Sequence, residues 1–269
     1  MASYLETAAE IAREAGALII AYFEKRIGFE LKGDYDLVTE ADRASERLVV
    51  ERILSHFPTH SIVAEEGGNH AGASEYCWFV DPLDGTTNFA HGFPMFNVSI
   101  GLAQAGSMAA GVIFDPLRGE MFAAERGAGA YLNNRRIHVS RAIKLEEALL
   151  ATGFPSRKRH ANINVHFFHQ VSMVTHGVRR GGSAALDLAY VACGRLEGFW
   201  EFGLNPWDMA AGTLIIEEAG GKVSDMKGGP LDLRGPHVLA DNGAIHQQAI
   251  DLFAEVWAGR YRVPLPQIN

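Results

Sequence analysis

The sequence predicts an α+β protein in which helices and sheets form stacked layers. Three observations support this fold class: two long amphipathic segments lie near the N-terminus, a series of short extended segments follows, and strands then alternate with helices. Helices grouped around a largely antiparallel sheet pack on its faces as layers. The chain has 269 residues, 48% of them hydrophobic, which is enough for a large core in one domain or two closely packed ones.

The first two predicted elements are helices. Between residues 3 and 26, apolar side chains recur at helical spacing and form one stripe. Its members are Leu5, Ala8, Ile11, Ala12, Ala15, Ile19, Tyr22 and Phe23. A second helix is predicted from about residue 40 to residue 57, and the first strand is expected in "SIVAE", residues 61–65.

The rest of the chain divides near residues 141–146. Before this seam, extended segments separated by Ala105-Gly106, Asp115-Pro116 and Asn133-Asn134 predict an antiparallel meander. After it, strands are expected in "EALLATGF", "GFWEF", "GKVSD" and "HVLAD". Helices are expected in "SAALDLAYVAC", in "WDMAAGTLIIEEAGG", in part of 157–174 and in 244–259. Residues 1–145 and 146–269 are therefore predicted to be two halves of one compact unit.

Composition excludes several classes of protein. The net charge is -8, from 24 basic and 32 acidic residues, and no basic stripe suggests a nucleic-acid partner. Cys77 and Cys193 are far apart and form no CxxC pair, so a cysteine zinc site is not expected. The first residues carry acids and no continuous apolar core, and "GALIIAYF" is too short to cross a bilayer. The expected location is the cytoplasm, with reduced thiols and no membrane partner.

The segment "VDPLDGTTNF" contains the strongest candidate site. Asp81 and Asp84 stand at the end of an apolar stretch, and Asp-Pro followed by Asp-Gly is compatible with a simple turn. Two carboxylates three residues apart can also converge on one hard cation. The following Gly85-Thr86-Thr87 could expose N–H groups to a phosphate. A cation site beside an anion site is what metal-assisted phosphoryl chemistry needs.

Other acids have both a structural and a functional interpretation. Glu65 and Glu66 end a predicted strand, and Glu201 ends another, so all three could be solvated charges. Asp208 lies in the first turn of a predicted helix, where an acid complements the helix dipole. Asp42 follows a threonine by three residues and could close a capping box.

Two rival catalytic patterns fail. "GGSAA" around Ser183 has Ala185 where the nucleophile motif GxSxG requires its second glycine. The four histidines between residues 160 and 176 lack HExxH spacing.

The combination of motifs resembles the inositol monophosphatase family of metal-dependent phosphatases. The segments that carry the resemblance are "WFVDPLDGTTNF", "EEGG", "NPWDMAAGTLIIEEAGG", "LVTEADRASE" and "RRGGSAALDLAYVACGRLEGFWEFGLNPWD". They extend over nearly the whole chain. The ending "GTTNF" resembles the inositol phosphatase branch more than the branches that act on adenosine bisphosphate or histidinol phosphate.

The resemblance implies an α/β/α/β/α layered fold, two to three Mg²⁺ ions per active site, and a homodimer. It implies that Glu65, Asp81 and the main-chain carbonyl of Leu83 hold the first ion. Asp81, Asp84 and Asp208 would hold the second, and Glu65 would help with a third. Two carboxylates ~4 Å apart repel by roughly 4 kcal/mol at an effective dielectric of ~20, which bound cations would offset.

The resemblance also implies catalytic and substrate-binding roles. Gly85 and Thr86 would bind phosphate through their N–H groups. The Thr86 hydroxyl, oriented by Asp42, would help to activate the attacking water, together with Glu65. The residues implied on the substrate side are Asp84, Gly182, Ser183, Ala184, Glu201 and Asp208.

The expected activity is therefore Mg²⁺-dependent, lithium-sensitive hydrolysis of myo-inositol monophosphate in the cytoplasm. A fructose-1,6-bisphosphatase or a broad sugar phosphatase could use the same site, and residues 155–180, on the substrate side, match the family less clearly. A non-catalytic interaction protein is the alternative from another functional class.

Overall fold

The computed structural model describes residues 3–25, 28–31, 37–154 and 162–265. The helices in these ranges are Tyr4–Phe23 (α1), Glu40–His56 (α2), Thr86–Ala90 (α3), Asn164–Val174 (α4), Ala184–Ala192 (α5), Pro206–Glu218 (α6) and His246–Trp257 (α7), with a 3₁₀ turn at Leu145–Glu147. Side-chain capping fixes the starts of α1, α2, α5 and α6. In α1, for example, Ser3 Oγ accepts from Glu6 N at 3.1 Å, and Glu6 Oε2 accepts from Ser3 N at 2.8 Å.

The larger sheet has seven strands. They are Ser61–Ala64 (β3), Tyr76–Asp84 (β4), Asn97–Gln104 (β5), Ser107–Asp115 (β6), Glu120–Glu125 (β7), Gly129–Leu132 (β8) and Arg135–Arg136 (β9), in this order across the sheet. β3 and β4 are parallel, and the other neighbours are antiparallel. Tight turns link β5 to β6 and β8 to β9. Their residues have positive φ at Ala105 and Gly106 and at Asn133 and Asn134, as two-residue hairpins require.

Two smaller sheets complete the fold. Phe29–Leu31 (β1) and Leu37–Thr39 (β2) form an antiparallel pair. A five-stranded sheet contains Leu149–Thr152 (β10), Gly177–Arg179 (β11), Gly198–Phe202 (β12), Lys222–Ser224 (β13) and His237–Asp241 (β14), in the order β11-β10-β12-β14-β13. In this sheet β10 is parallel to both of its neighbours, and β14 is antiparallel to both of its own.

Three hydrophobic cores fill the spaces between five layers, and one of them extends on both sides of the central layer. The first lies between α1–α2 and the seven-stranded sheet, the second surrounds α5 and α6 between the two large sheets, and the third joins the five-stranded sheet to α4 and α7. Phe199 and Trp200 are neighbours on β12 and belong to the second and third cores, because successive strand residues point to opposite faces. The predicted α+β class and α/β/α/β/α layering are confirmed.

Most predicted elements are present, with two differences. The β1–β2 pair precedes "SIVAE", so that segment is not the first strand. The short strand β11 was not predicted. The helix expected within 157–174 begins at Asn164, and residues 155–161 of that segment and of the substrate-side stretch lie outside the described residues, as does Arg26 of the first predicted helix. Among the described residues, no helix has the length and apolar character needed to span a membrane.

Candidate active site

Asp81 and Asp84 lie at an irregularity in the pairing of β4 with β5. Asp81 pairs with Ser99 and Asp84 pairs with Asn97, so the register shifts between the two acids. Asp81 is buried, and its Oδ1 accepts a hydrogen bond from Leu83 N at 3.1 Å. The bulge breaks the alternation of the strand and allows both carboxylates to serve one site.

The next residues turn the chain into α3. Gly85 has φ +94°, and a Cβ there would lie 2.8 Å from Met95 O, so the position requires glycine. The hydroxyl of Thr86, the first residue of α3, lies 2.8 Å from Asp42 Oδ1 and 3.1 Å from Leu83 O, to either of which it can donate.

Asp42 has a structural and a site contact at the same time. Its Oδ2 accepts from Thr39 N at 2.7 Å and from Thr39 Oγ1 at 2.5 Å, which closes the capping box of α2. Its Oδ1 faces Thr86. The two interpretations drawn from the sequence are therefore compatible in one side chain.

Asp208 and Glu65 complete the acidic group. Asp208 is the third residue of α6, and its Oδ2 accepts from Asn205 N at 2.7 Å in a second capping box. Glu65 directly follows β3, and its main-chain N donates to Val80 O at 3.3 Å. This contact joins the end of β3 to the strand that carries Asp81.

The acids influence one another electrostatically. Burial raises the pKa of Asp81 well above its ordinary value, and the charges of Glu65, Asp84 and Asp208 raise it further. Burial raises the pKa of Asp208 to about 7; hydrogen bonds from Asn205 oppose this rise, and the charge of Asp84 adds to it. Asp81 is therefore within electrostatic reach of the other three acids, whereas a hydrogen bond with Asp81 lowers the pKa of Asp208.

This group fits a hard divalent cation in charge and donor chemistry, because all its donors are oxygens and their mutual repulsion would be relieved by positive charge. Within residues 3–25, 28–31, 37–154 and 162–265, no three His, Cys, Asp or Glu side chains already form a metal-ligand cluster. Main-chain N–H groups hold one oxygen each of Asp81, Asp84 and Asp208. Binding of an ion would therefore require the acids to come closer together than they are here.

Asp84 is held firmly by one of its two oxygens. Oδ2 accepts from Asn97 Nδ2 at 2.8 Å, from Ser183 Oγ at 2.6 Å and from Ala185 N at 2.9 Å. Ser183 is also the N-cap of α5, where its Oγ accepts from Leu186 N at 3.4 Å. Three donors from two other elements thus fix the position of this carboxylate.

A cavity of about 520 Å³ adjoins these residues. Six of the residues that the resemblance suggests for substrate or phosphate line this cavity: Asp84, Gly182, Ser183, Ala184, Glu201 and Asp208. Gly85 and Thr86 do not line it. The positions of the six lining residues on β4, α5, β12 and α6 bring both halves of the chain to one cavity.

Sequence reasoning missed several residues of the site. Asn97 is fully buried and donates to both Asp84 and Ser183. Asn88 donates through Nδ2 to Met95 O at 2.8 Å and to Gly181 O at 2.9 Å, which ties α3 to the loop before α5. "GTTNF" did contain Asn88, but nothing local indicated its partners.

A buried acid–histidine arrangement lies outside the candidate site. His246 Nδ1 is 2.7 Å from Asp241 Oδ2, and His246 Nε2 is 3.3 Å from Ser224 Oγ. The Ser224 hydroxyl donates to Asp225 O at 2.6 Å. None of these residues lines the 520 Å³ cavity, so the arrangement connects β13, β14 and α7 rather than forming part of this site.

Comparison with known proteins identifies relatives of this site and fold. Residues 1–258 match the sequence model of the inositol monophosphatase family. The chain is 46% identical to an inositol-1-monophosphatase from Synechocystis sp. over 96% of its own length and 92% of that protein. It is 48% identical to a protein named Nus factor SuhB from Pseudomonas aeruginosa, over 90% of its own length and 92% of that protein.

A solved structure gives the same result for the fold. An inositol monophosphatase from Anabaena (Nostoc) sp. superposes with a TM-score of 0.86 at 45% identity, covering 94% of this chain and 95% of that one. The family resemblance carried by the motifs is confirmed. The chain belongs to the inositol monophosphatase family, which is a family of phosphatases.

Proposed function

We propose that this protein is a Mg²⁺-dependent phosphomonoesterase that hydrolyses myo-inositol monophosphate to inositol and phosphate. The observation that carries the proposal is a group of three acids whose charges act on the buried Asp81, together with the Thr86–Asp42 hydrogen bond and a cavity large enough for a small ester. Relatives named inositol-1-monophosphatase, at 46% and 48% identity, support the choice of substrate.

In this proposal the acidic group holds two to three Mg²⁺ ions. Glu65, Asp81 and the main-chain carbonyl of Leu83 hold one ion, Asp81, Asp84 and Asp208 hold a second, and Glu65 assists a third. When bound, Mg²⁺ supplies positive charge that offsets the repulsion between the carboxylates and the phosphate and acts as a Lewis acid.

The protein side chains orient water and phosphate. When the Thr86 hydroxyl donates to Asp42, its oxygen is left to accept a hydrogen bond from the attacking water. Glu65, whose charge acts on Asp81, would assist in deprotonating that water. The N–H groups of Gly85 and Thr86 bind phosphate oxygens, and the bare Gly85 lets the phosphate approach the main chain. No side-chain nucleophile is needed, because water attacks in line with the leaving oxygen.

On the substrate side, Glu201 and the loop around Gly182, Ser183 and Ala184 would face the polyol. The test is a panel of phosphate esters with Mg²⁺: myo-inositol 1-phosphate, fructose 1,6-bisphosphate, glucose 6-phosphate and glycerol 2-phosphate, compared by kcat/KM. We expect the inositol ester to be preferred over each of the others by at least about tenfold. A higher kcat/KM for fructose 1,6-bisphosphate would support the fructose-1,6-bisphosphatase alternative, and similar values for all esters would support a broad sugar phosphatase.

A second candidate function comes from the names of relatives. Proteins named Nus factor SuhB are 43–48% identical to this chain. If no ester in the panel released phosphate with Mg²⁺ present, the result would favour a non-catalytic role over the phosphatase function.

The proposal includes three further properties implied by the family resemblance. For a homodimer, sedimentation equilibrium should give twice the chain mass of 29.3 kDa. Inhibition by LiCl beyond a NaCl control at equal ionic strength should be uncompetitive or mixed toward substrate. Cell fractionation should recover the protein with the cytoplasm.

A further inference from the structure

The cavity contains a carboxylate that the proposed reaction does not use. Asp187 lies on α5, one turn after its N-cap, and lines the 520 Å³ cavity although only 2% of the residue is exposed. No described residue donates a hydrogen bond to its carboxylate or forms an ion pair with it. A buried carboxylate without a donor is destabilising, so its presence at a cavity wall calls for a ligand.

Glu201 shares this situation on the neighbouring strand. It is 7% exposed, lines the same cavity, and also lacks a hydrogen-bond donor among the described residues. Burial raises the pKa of Glu201 well above its ordinary value, and among nearby charges Asp187 contributes the most. Both carboxylates therefore line the same cavity, and the charge of Asp187 acts on Glu201.

The main chain leaves room for both carboxylates. A Cβ on Gly153 would collide with the Glu201 carboxylate, and a Cβ on Gly181 would collide with the end of the Met95 side chain and lie 3.0 Å from Asp187 Oδ1. Glycine at position 153 thus lets the Glu201 carboxylate approach the backbone closely. The pair is a built feature of the cavity wall, separate from Asp81, which does not line the cavity.

Two carboxylates that line one cavity can accept hydrogen bonds from two hydroxyl groups of one ligand. Hydroxyl groups donate hydrogen bonds to the carboxylates without adding a charge. A polyol phosphate offers several hydroxyls, and its phosphate group would be held at the Asp84 end of the cavity. We propose that Asp187 is a specificity-determining residue that, together with Glu201, binds the hydroxyl groups of a polyol phosphate. This inference rests on the proposed phosphatase function and deepens it, because it assigns a second polyol contact to the site.

The test uses the full-length protein with Mg²⁺ and two esters of similar shape, myo-inositol 1-phosphate and cyclohexyl phosphate, which lacks the ring hydroxyls. Asp187→Asn should lower the ratio of their kcat/KM values by at least about tenfold, since a hydrogen bond to a charged acceptor is weakened. The hydrolysis of cyclohexyl phosphate should change by less than about twofold. Asp115→Asn, a buried acid paired with Arg118 outside the cavity, is the matched control and should leave the ratio unchanged.

Thermal unfolding separates this role from a structural one. Removing an unpartnered buried charge should leave Tm unchanged or raise it in Asp187→Asn and in the nearly isosteric Asp187→Leu, whereas a structural carboxylate would lower Tm and spare the ratio. If either variant does not fold, the structural role is supported and the proposal is overturned.

The wild-type enzyme provides a second measurement. With monodeoxy analogues of myo-inositol 1-phosphate, removal of either of two different hydroxyls should lower the kcat/KM of the wild-type enzyme. In Asp187→Asn, removal of one of these two hydroxyls should no longer lower kcat/KM. A ratio and a deoxy profile unchanged in Asp187→Asn would overturn this inference alone. Wild-type protein that hydrolyses neither ester would overturn the proposed function, and the inference with it.

Discussion

Asp42 and Asp208 each close the first turn of a helix while belonging to the candidate active site. Each is the third helical residue and accepts from the N-cap main-chain N at 2.7 Å, Asp42 from Thr39 and Asp208 from Asn205. Helix capping fixes the position of the carboxyl group, so one oxygen can serve the site in a constant orientation. This dual use explains why local sequence could not separate the two roles.

The pair Asp42 and Thr86 should act as one unit on the attacking water. Asp42→Asn and Thr86→Ala should each lower kcat by roughly 10²-fold with a smaller change in KM, and the double variant should be little worse than either. Steady-state kinetics measures both effects.

The matched control for this pair is Glu6→Gln, which alters the corresponding capping box of α1 away from the site. Glu6→Gln and Asp42→Asn should both lower the free energy of unfolding by about 1 kcal/mol. An Asp42→Asn protein that loses stability but keeps its kcat would show that Asp42 is a capping residue only.

Asp84→Asn should lower turnover by about 10²-fold or more and weaken the response to Mg²⁺, because the change removes a charge from the proposed ligand group. The fold should persist, since the amide oxygen can still accept from the donors at Oδ2. Mg²⁺ titrations of phosphate release and thermal unfolding give the two readouts. Wild-type turnover with unaltered Mg²⁺ dependence would remove Asp84 from the metal site.

At the scale of elements, the site depends on pairings that are distant in sequence. The Asp-Pro-Leu-Asp-Gly stretch was readable locally as a turn or a cation site, and the structure places it at a bulge in β4. Asn97 could not be recognised, because its role follows from the β4–β5 register that sets it opposite Asp84. Asp187 was hidden for a similar reason: its helix was predicted, but the cavity wall that it shares with Glu201 was not.

The buried hydrogen bond between Asp241 at the end of β14 and His246 at the start of α7 should be structural. His246→Ala should lower the free energy of unfolding by about 2 kcal/mol, since it removes a partner from a buried acid, and should leave kcat unchanged. The exposed His176→Ala should stay within about 0.5 kcal/mol of wild type in chemical denaturation. Lost activity at unchanged stability would instead indicate a catalytic role for His246.

At the scale of the whole molecule, the order of helical and extended segments was enough to predict the stacked layers. The helices α1, α2, α5, α6 and α7 and the meander were expected, because each carries a clear local pattern. The strand order of the five-stranded sheet was not, since it requires crossovers that sequence order does not reveal. β1, β2 and β11 have three residues each, too few for a detectable pattern.

Global stability should fall in mildly acidic solution because of a buried histidine between α1 and the large sheet. His60 accepts from Trp78 Nε1 at 3.0 Å through Nδ1, and burial lowers its pKa. Below about pH 6.5 the unfolded chain binds a proton that the folded protein takes up only at lower pH, so this stability is present above about 6.5 and decreases as pH falls toward the folded pKa.

Urea denaturation at pH 7.5 and 5.5 measures this effect. In His60→Gln, which keeps an acceptor for Trp78, the difference in unfolding free energy between the two pH values should be smaller than in wild type. An equal difference in both proteins would assign the pH dependence to other groups.

We infer that the acidic group and the Thr86–Asp42 pair support metal-dependent hydrolysis by water. The most direct measurement is the release of phosphate from myo-inositol 1-phosphate by chelator-treated protein in ¹⁸O-labelled water, before and after addition of Mg²⁺. We predict no release before the addition, and afterwards release of phosphate that carries one ¹⁸O atom, with none in inositol. Equal release without Mg²⁺, no release with it, or ¹⁸O in the inositol product would contradict the claim.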